Sequence, residues 1–272
     1  MLLQGSYKPA THAYRPAGSG GDDLEICDGR YVTRIARSPL EIESALRLRY
    51  RVFRIELAGD SSSDPSRLEF DEYDFRCKHL IVVDTSTGAT VGTYRLSSFE
   101  TGRGMTGFYS YDEFSIEDLP RDVLQEGVEI GRACIAPEHR NTKVLFLLWK
   151  GLAAYLRSQG KRYFFGCCSI FTQDERIGAT AYRQLSDAGH LHPKLRVTPR
   201  KNALDVSVPG SASASVELPG LFNMYLRIGA RVCGPPMIDR DFGTIDFFVV
   251  CDTHLIGEKY RRMFFGGSNG KT

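Results

Sequence analysis

The sequence lacks long hydrophobic runs, paired-cysteine spacing and a large net charge, and each absence excludes a class of protein. Its longest uninterrupted apolar run, 144–149, is far too short to span a bilayer. The formal net charge of +2 excludes strong overall attraction to nucleic acid, and we expect no nucleic-acid partner. The seven cysteines are scattered, without CxxC spacing or a secretory leader, which predicts reduced thiols in a cytoplasmic protein.

Composition and hydrophobic pattern divide the chain into three parts. Residues 1–29 are rich in Gly, Pro, Ala and Ser and lack a hydrophobic period, so we predict a disordered N-terminal segment. Residues 30–254 are predicted to form one domain. Within it, the basic and Ser-rich stretch 190–217 breaks the pattern and predicts a mobile insertion, with a simple spacer as the alternative. Residues 255–272 are a basic and aromatic tail, for which peripheral membrane contact and a frayed end are both open.

Strand and helix signals alternate along the predicted domain. Ser38-Pro39-Leu40-Glu41 combines an N-cap, a proline at the first helical position and a capping-box glutamate, and predicts a helix that continues through Ile55. Residues 142–159 form a strongly amphipathic helix pattern. The predicted strands are 31–36, 79–84, 90–98, 128–135, 162–168, 231–233 and 244–251. This order predicts an α/β fold, with a mixed central sheet flanked by helices.

The predicted strand 128–135 carries an unusual set of polar residues. Glu129 and Arg132 are costly inside a sheet unless they are paired, and strict alternation would place them on opposite faces. A bulge at Gly131 would bring them toward one side and expose backbone N–H groups. An acyl-transfer site requires such N–H donors beside a carboxylate. The alternative interpretation of these residues is a structural Glu–Arg ion pair without a catalytic role.

An acidic loop at 69–74 predicts a partly buried ion network. It contains Asp71 and Asp74, and the arginines Arg51, Arg95 and Arg132 lie outside the helical spacing that would explain them as surface pairs. The alternative is a solvated acidic loop.

A helix start and a basic stripe predict contacts with a donor molecule. Arg140 directly precedes the 142–159 helix, whose N-terminal amides favour an anion such as a phosphate. The loop lacks glycines, so close wrapping of a pyrophosphate is not expected. Lys143 and Lys150 lie along one line of the helix, either as its solvated face or as a docking stripe for an acidic partner protein.

Several motifs occur in a family-specific order between residues 31 and 252. The motifs are Tyr50-Arg51-Val52-Phe53…Glu56-Leu57, Asp71…Asp74…Cys77…His79-Leu80, Val91-Gly92-Thr93-Tyr94-Arg95-Leu96, Phe108-Tyr109-Ser110, Glu129-Ile130-Gly131-Arg132, Leu148-Trp149-Lys150-Gly151, Phe165-Gly166-Cys167, Tyr225-Leu226-Arg227-Ile228-Gly229-Ala230 and Cys233-Gly234-Pro235-Pro236…Asp239…Phe242-Gly243…Asp246-Phe247. Together they resemble the bacterial L-ornithine Nα-acyltransferases that begin ornithine-lipid synthesis, some of which are described as haemolysin-like. The same family resembles acyl-homoserine-lactone synthases, which have a GNAT-type fold.

The resemblance implies a GNAT-like fold and N-acyl transfer. The implied donor is a 3-hydroxyacyl thioester on the phosphopantetheine arm of acyl carrier protein, and the implied acceptor is the α-amine of ornithine. No bound cofactor and no metal are implied. The residues that match the synthase pattern are Arg51, Phe53, Asp71, Asp74, Arg95, Glu129 and Arg132.

Residue chemistry and resemblance together give a mechanistic hypothesis. The amine attacks the thioester directly, and Glu129 is the candidate base. Backbone N–H groups from Arg132 to Cys134, including that of Ala133, would stabilise the oxyanion. Arg132 and the two loop aspartates would shape the acceptor pocket, one aspartate holding the ornithine ammonium.

Two alternatives to this hypothesis are open, a second enzyme activity and a protein of a different class. One is transfer from acetyl-CoA or acyl-CoA to another amine. The other is a membrane-active, haemolysin-like protein. The expected location is the cytoplasm, with peripheral contact at the inner membrane as a further possibility.

Overall fold

The computed structural model describes residues 24–59, 65–208 and 215–266, which form nine strands and seven α-helices. The strands are β1 Glu25–Asp28, β2 Tyr31–Ile35, β3 Lys78–Asp84, β4 Ala89–Ser98, β5 Gly127–Ile135, β6 Tyr163–Ile170, β7 Arg231–Val232, β8 Met237–Asp239 and β9 Thr244–Asp252. The α-helices are α1 Pro39–Arg49, α2 Ser110–Glu113, α3 Arg121–Gln125, α4 Thr142–Ser158, α5 Glu175–Asp187, α6 Gly220–Ile228 and α7 Glu258–Tyr260. All the predicted strands are present, and β1 and β8 are additional.

The helix predicted from the Ser38 cap is confirmed at its start and wrong at its end. The Ser38 side chain accepts a hydrogen bond from the Glu41 amide and caps α1. The α-helix ends at Arg49, and the chain continues as a π-helix, Tyr50–Leu57. The wider turn of this segment ends with the bond from the Ala58 amide to the carbonyl five residues earlier. Periodicity of 3.6 residues therefore misplaces the side chains beyond Arg49.

The chain divides into two compact units, and the first contains described residues of 24–74, 78–95 and 132–155. Its strands follow the order β1-β2-β3-β4-β5, with antiparallel pairing between β1, β2 and β3. Helix α4 packs closely on this sheet, because glycines remove the side chains that would separate the two layers. A Cβ on Gly92 would lie 3.1 Å from Val144 Cγ1, and one on Gly151 would lie 2.9 Å from Leu80 Cδ1.

The second unit contains described residues of 75–77, 96–131 and 156–266. Its strands follow the order β5-β6-β9-β7, and β8 also pairs with β9. The β5–β6 pair is parallel and the β6–β9 pair antiparallel, so the sheet is mixed as predicted. Phe108, Phe114, Phe165 and Phe248 form the centre of its core, with the Phe108 and Phe165 rings in an edge-to-face contact at 5.0 Å.

The predicted boundaries are only partly covered by the structure. β1 begins at Glu25, so the predicted N-terminal disordered segment is wrong for 25–28, where the backbone pairs with β2; residues 1–23 lie outside the described range. In the predicted insertion, Val197 and Leu204 are buried, and residues 209–214 lie outside the described range. The single domain over 30–254, the mobility of the insertion and the role of the tail stay predictions.

Among the described residues, no helix has the length and apolar character needed to cross a membrane. The expected cellular location and membrane contact stay predictions.

Two glycines near the end of the β5–β6 ladder give a stability test. Gly166 has a φ of +150°, and a Cβ there would lie 2.4 Å from the Ile130 carbonyl oxygen, whereas a Cβ on Gly131 would meet nothing within 4 Å. We expect Gly166→Ala to lower the free energy of unfolding by about 1–3 kcal/mol through strain and steric conflict. Gly131→Ala is the matched control and should change it by less than about 1 kcal/mol. Equal losses in urea denaturation would contradict the packing described here.

Candidate active site

A fully buried guanidinium organises the acidic loop of the first unit. Arg49, at the last position of α1, has a relative exposure of 0%. It donates two hydrogen bonds to Asp74, at 2.7 and 3.1 Å, in a bidentate arrangement. Its Nε atom donates a short bond to Glu69. The predicted ion network is therefore present, but an arginine that the sequence analysis did not select lies at its centre.

Arg95 and Arg132 connect the same loop to β4 and β5. Arg95 donates to Asp71 at 2.5 Å and lies 3.5 Å from Asp74. Arg132 donates to Glu69 and to Asp71, each at 3.2 Å. Three guanidinium groups thus pair with three carboxylates. This pairing offsets the unfavourable free energy of removing so many charges from water.

The charges in this network hold the carboxylates in their ionised form. Burial opposes ionisation of Asp74, but Arg49 and Arg95 outweigh it and hold the pKa well below its usual range. Burial likewise opposes ionisation of Glu69, and Arg49 and Arg132 reverse that effect and lower its pKa. His79 lies 3.8 Å from Asp74, yet burial lowers its pKa to about 4, so it is neutral at pH 7. Asp71 and Asp74 are therefore engaged by arginines, which compete with the predicted binding of an ammonium group.

Arg51 does not join this network, which corrects the sequence-based expectation. Its guanidinium is half-exposed and forms a bidentate pair with Glu138, at 2.6 and 2.8 Å. Arg49 and Arg51 are two residues apart and so lie on opposite sides of the helical segment, with Arg49 buried and Arg51 exposed. Phe53, another predicted binding residue, is buried in the same segment. One signal pointed to Arg49: it follows the inward-facing Ala45 by one helical turn.

The predicted anion site before α4 is largely occupied by the chain itself. The Asn141 side chain accepts bonds from the amides of Lys143 and Val144, at 3.0 and 3.1 Å, so these helix N-terminal donors are satisfied. Arg140 forms a bidentate pair with Glu56 at 2.6 and 2.7 Å. Lys143 is exposed, and the Lys150 ammonium lies 4.6 Å from the centre of the Phe146 ring.

The predicted irregularity in β5 is present, one residue later than expected. Arg132 has a φ of +50°, whereas Gly131 has no positive φ. A left-handed conformation at a non-glycine residue is uncommon and is held here by the bonds of the Arg132 side chain to the acidic loop. Ala133 is half-buried and Cys134 buried, and burial raises the pKa of the Cys134 thiol. The predicted oxyanion role of the amides at 132–134 stays a prediction.

Glu129 anchors a turn of the second unit. Its two carboxylate oxygens accept bonds from the amides of Tyr109 and Ser110, both at 2.8 Å, and only 7% of the residue is exposed. Protonating this carboxylate would weaken two charge-assisted bonds at the start of α2. The assignment of Glu129 as the base stays a prediction, and these contacts give it a positioning role as well.

A narrow cleft follows the end of the β5–β6 ladder. The ladder contains three residue pairs, from Gly127↔Tyr163 to Glu129↔Phe165. Just beyond it, Ile130, Gly166 and Cys167 line the cleft together with residues of α6 and β9. The cleft is lined mainly by apolar side chains and has a volume of about 20 Å³, room for roughly one water molecule.

A buried polar cluster that the sequence analysis missed lies behind this cleft. Glu113 is 2% exposed, and the Cys167 thiol donates to its carboxyl group at 3.1 Å. Burial, followed by the nearby charge of Asp246, raises the pKa of Glu113 to about 8. The ligand-type atoms of Glu113, Cys167 and Asp246 lie within 4.8 Å of one another; the expectation that the protein holds no metal stays a prediction.

Comparisons with known proteins relate this geometry to a family and a fold. Residues 48–150 match the family model described as an acetyltransferase (GNAT) domain. The L-ornithine N(alpha)-acyltransferase of Rhizobium meliloti (strain 1021) is 33% identical over 253 residues, covering 88% of this chain and 85% of that protein. The enzyme of the same name from Brucella abortus (strain 2308) is 32% identical, with coverages of 85% and 88%.

One solved structure supports the fold. The crystal structure of the AHL synthase LasI matches with a TM-score of 0.51 and 13% identity, covering 90% of this chain and all of that chain. Together with the family model, this match confirms the predicted α/β fold of the GNAT type.

The buried network predicts a large cost for losing one partner. Asp74→Asn leaves Arg49 without half of its compensation, so we expect the free energy of unfolding to fall by about 3–5 kcal/mol. Glu43→Gln is the matched control, because the Glu43–Arg47 pair is exposed and should contribute less than about 1 kcal/mol. Denaturant titration measures both, and similar small losses would contradict a structural role for the network.

Proposed function

The chain belongs to the L-ornithine N(alpha)-acyltransferase family, and we propose that it transfers an acyl group to the α-amine of ornithine. It is an N-acyltransferase with a GNAT domain. The observation that carries the choice of acceptor is identity of at least 30% with enzymes of that name along most of the chain. The product would be an N-acylated ornithine, a lyso-aminolipid.

The reaction requires a thioester donor, and we propose acyl carrier protein with a (3-hydroxy)fatty acyl chain. The amine nitrogen forms a bond to the thioester carbonyl carbon, and the carbon–sulfur bond then breaks. The apolar lining of the cleft beside Ile130 and Gly166 supports this proposal, which requires the cleft to widen from its volume of about 20 Å³ when the arm enters. The satisfied helix start at Asn141 disfavours tight pyrophosphate binding, and so favours a carrier protein over free CoA.

Glu129 supports the reaction by fixing the turn at Tyr109 and Ser110. We propose that Arg132 positions β5 through its left-handed backbone and its bonds to the acidic loop. The amides that follow it are the proposed oxyanion donors, a contribution that mutagenesis in other enzymes places at about 3 kcal/mol for one donor.

Lipid analysis of cells that make the protein tests the proposed function. In a host without aminolipids, we expect the wild-type protein to produce N-(3-hydroxyacyl)ornithine detectable by mass spectrometry. Glu129→Gln replaces one amide-accepting oxygen by an NH₂ group, so we expect at least a tenfold lower yield at equal protein level.

Three outcomes are informative. A lyso-aminolipid with another head group would contradict ornithine as acceptor. Acylation by the purified protein with acyl-CoA but not acyl carrier protein would contradict the proposed donor. An equal yield from Glu129→Gln would remove that residue from the site.

Charge reversal on α4 tests the docking of acyl carrier protein. Lys143 and Lys150 lie two turns apart on α4, and together with Arg140 they are the proposed contact for this acidic partner. We expect Lys143→Glu with Lys150→Glu to raise KM for acyl carrier protein about tenfold or more, without changing turnover of a short acyl-pantetheine thioester. Lys201→Glu, an exposed site in the second unit, is the matched control. Equal effects on both donors would contradict docking at α4.

A further inference from the structure

Glu113 is a buried carboxyl group that the chain does not neutralise with a cation. Only 2% of the residue is exposed, and no lysine or arginine of the described residues forms an ion pair with its side chain. Its polar contacts are with uncharged groups, the Cys167 thiol at 3.1 Å and the Tyr109 side chain. This contrasts with Asp74 of the first unit, which has two arginines within 3.5 Å.

The groups that face Glu113 come from four elements. Cys167 lies on β6, Asp246 on β9 and Asp239 on β8, while Tyr109 directly precedes α2. Burial and the negative charge of Asp246 are the main causes that raise the pKa of Glu113 to about 8, and Asp239 adds a smaller effect. A carboxyl group with a pKa raised in this way can accept a proton near neutral pH, where an amine substrate must lose one before it attacks the thioester.

Cys167 connects this carboxyl group to the cleft. The residue lines the cleft and is partly exposed, whereas Glu113 lies behind it. Burial, followed by the charge of Glu113, raises the pKa of the thiol well above its ordinary value. Cys167 is therefore a neutral thiol, and its S–H group donates a hydrogen bond to Glu113. The Ser110 hydroxyl lies 3.6 Å from the sulfur and orients it from the other side.

We propose that Cys167 and Glu113 form a proton relay that deprotonates the acceptor amine during acyl transfer. This inference rests on the proposed N-acyl transfer and names the group that takes the proton. A proton of the substrate ammonium passes to the sulfur of Cys167 while the S–H proton passes to Glu113 Oε2. The neutral amine then attacks the carbonyl carbon, the C–S bond breaks, and a second nitrogen proton goes to the leaving sulfur. The third proton stays on the amide nitrogen.

Under this proposal two carboxylates of the second unit have different roles. Glu129 accepts hydrogen bonds from the amides of Tyr109 and Ser110, and so acts as a positioning residue. Glu113 alternates between its acid and base forms, with Cys167 as the group that touches the substrate. The relay needs Glu113 as a carboxylate, so activity is lost as pH falls below the pKa of about 8 and reaches a plateau above it.

The test is the pH dependence of kcat between pH 6 and 10, measured with acyl carrier protein and saturating ornithine. The wild type should show a rising limb with an apparent pKa near 8. Glu113→Gln keeps the shape of the side chain but cannot accept the proton, so kcat should fall about 100-fold and the limb should disappear. Cys167→Ala should behave similarly, whereas Cys167→Ser should retain the limb because a hydroxyl group can also pass the proton.

Cys233→Ala is the matched control, because it removes another buried thiol of the second unit from the hydrophobic core and away from the cleft. Its kcat and pH profile should match the wild type. The relay would be overturned if Glu113→Gln kept the rising limb of the pH profile of kcat. It would also be overturned if only Glu129→Gln lost that limb. Full activity of Cys167→Ala with an unchanged limb would also overturn it, even if Glu113→Gln failed to fold. Absence of N-acylornithine from the wild-type reaction would instead contradict the proposed function.

Discussion

The buried guanidinium of Arg49 is the charge on which the geometry of the first unit depends. An uncompensated charge at 0% exposure would be very unfavourable, so Asp74 and Glu69 must lie against it. Those two acids fix the ends of the 69–74 loop, and Asp74 also accepts the amide of Asp71. The loop in turn receives Arg132 and so fixes the left-handed residue of β5. One ion network thereby positions a loop, a helix end and a strand.

Two buried carboxyl groups of the second unit have partners of other kinds. Glu129 is stabilised by two backbone amides, and Glu113 is left among a thiol, a tyrosine and other acids. The same residue type therefore serves two purposes: an anion with amide donors holds structure, whereas a carboxyl without a cation can exchange a proton near neutral pH. An N-acyltransferase needs both, because the thioester must be positioned and the amine must lose a proton.

Much of the fold could be predicted from the sequence because its signals are local. Alternating apolar residues identified β2–β6 and β9, and the Ser38 cap identified the start of α1. The π-helix at Tyr50 has no periodic signature in the sequence. Arg49, by contrast, follows the inward-facing Ala45 by one helical turn, a signal from which it could have been selected in place of Arg51. The loop aspartates and Arg95 were identified from an excess of unpaired charge. The pairing of Glu113 with Cys167 depends on contact across 54 residues. Cys167 lies in one of the family motifs, but nothing in the local sequence points to Glu113 as its partner.

The proposed relay depends most on the protonation state of Glu113, and carbon-13 NMR of protein labelled at the glutamate carboxyl groups measures it directly. A titration from pH 4 to 10 should show one resonance with a midpoint near pH 8 that is absent from Glu113→Gln. This result would show that the second unit keeps an uncompensated acid behind the cleft. If every glutamate titrates below about pH 6, Glu113 is an ordinary carboxylate and the proposed relay is wrong.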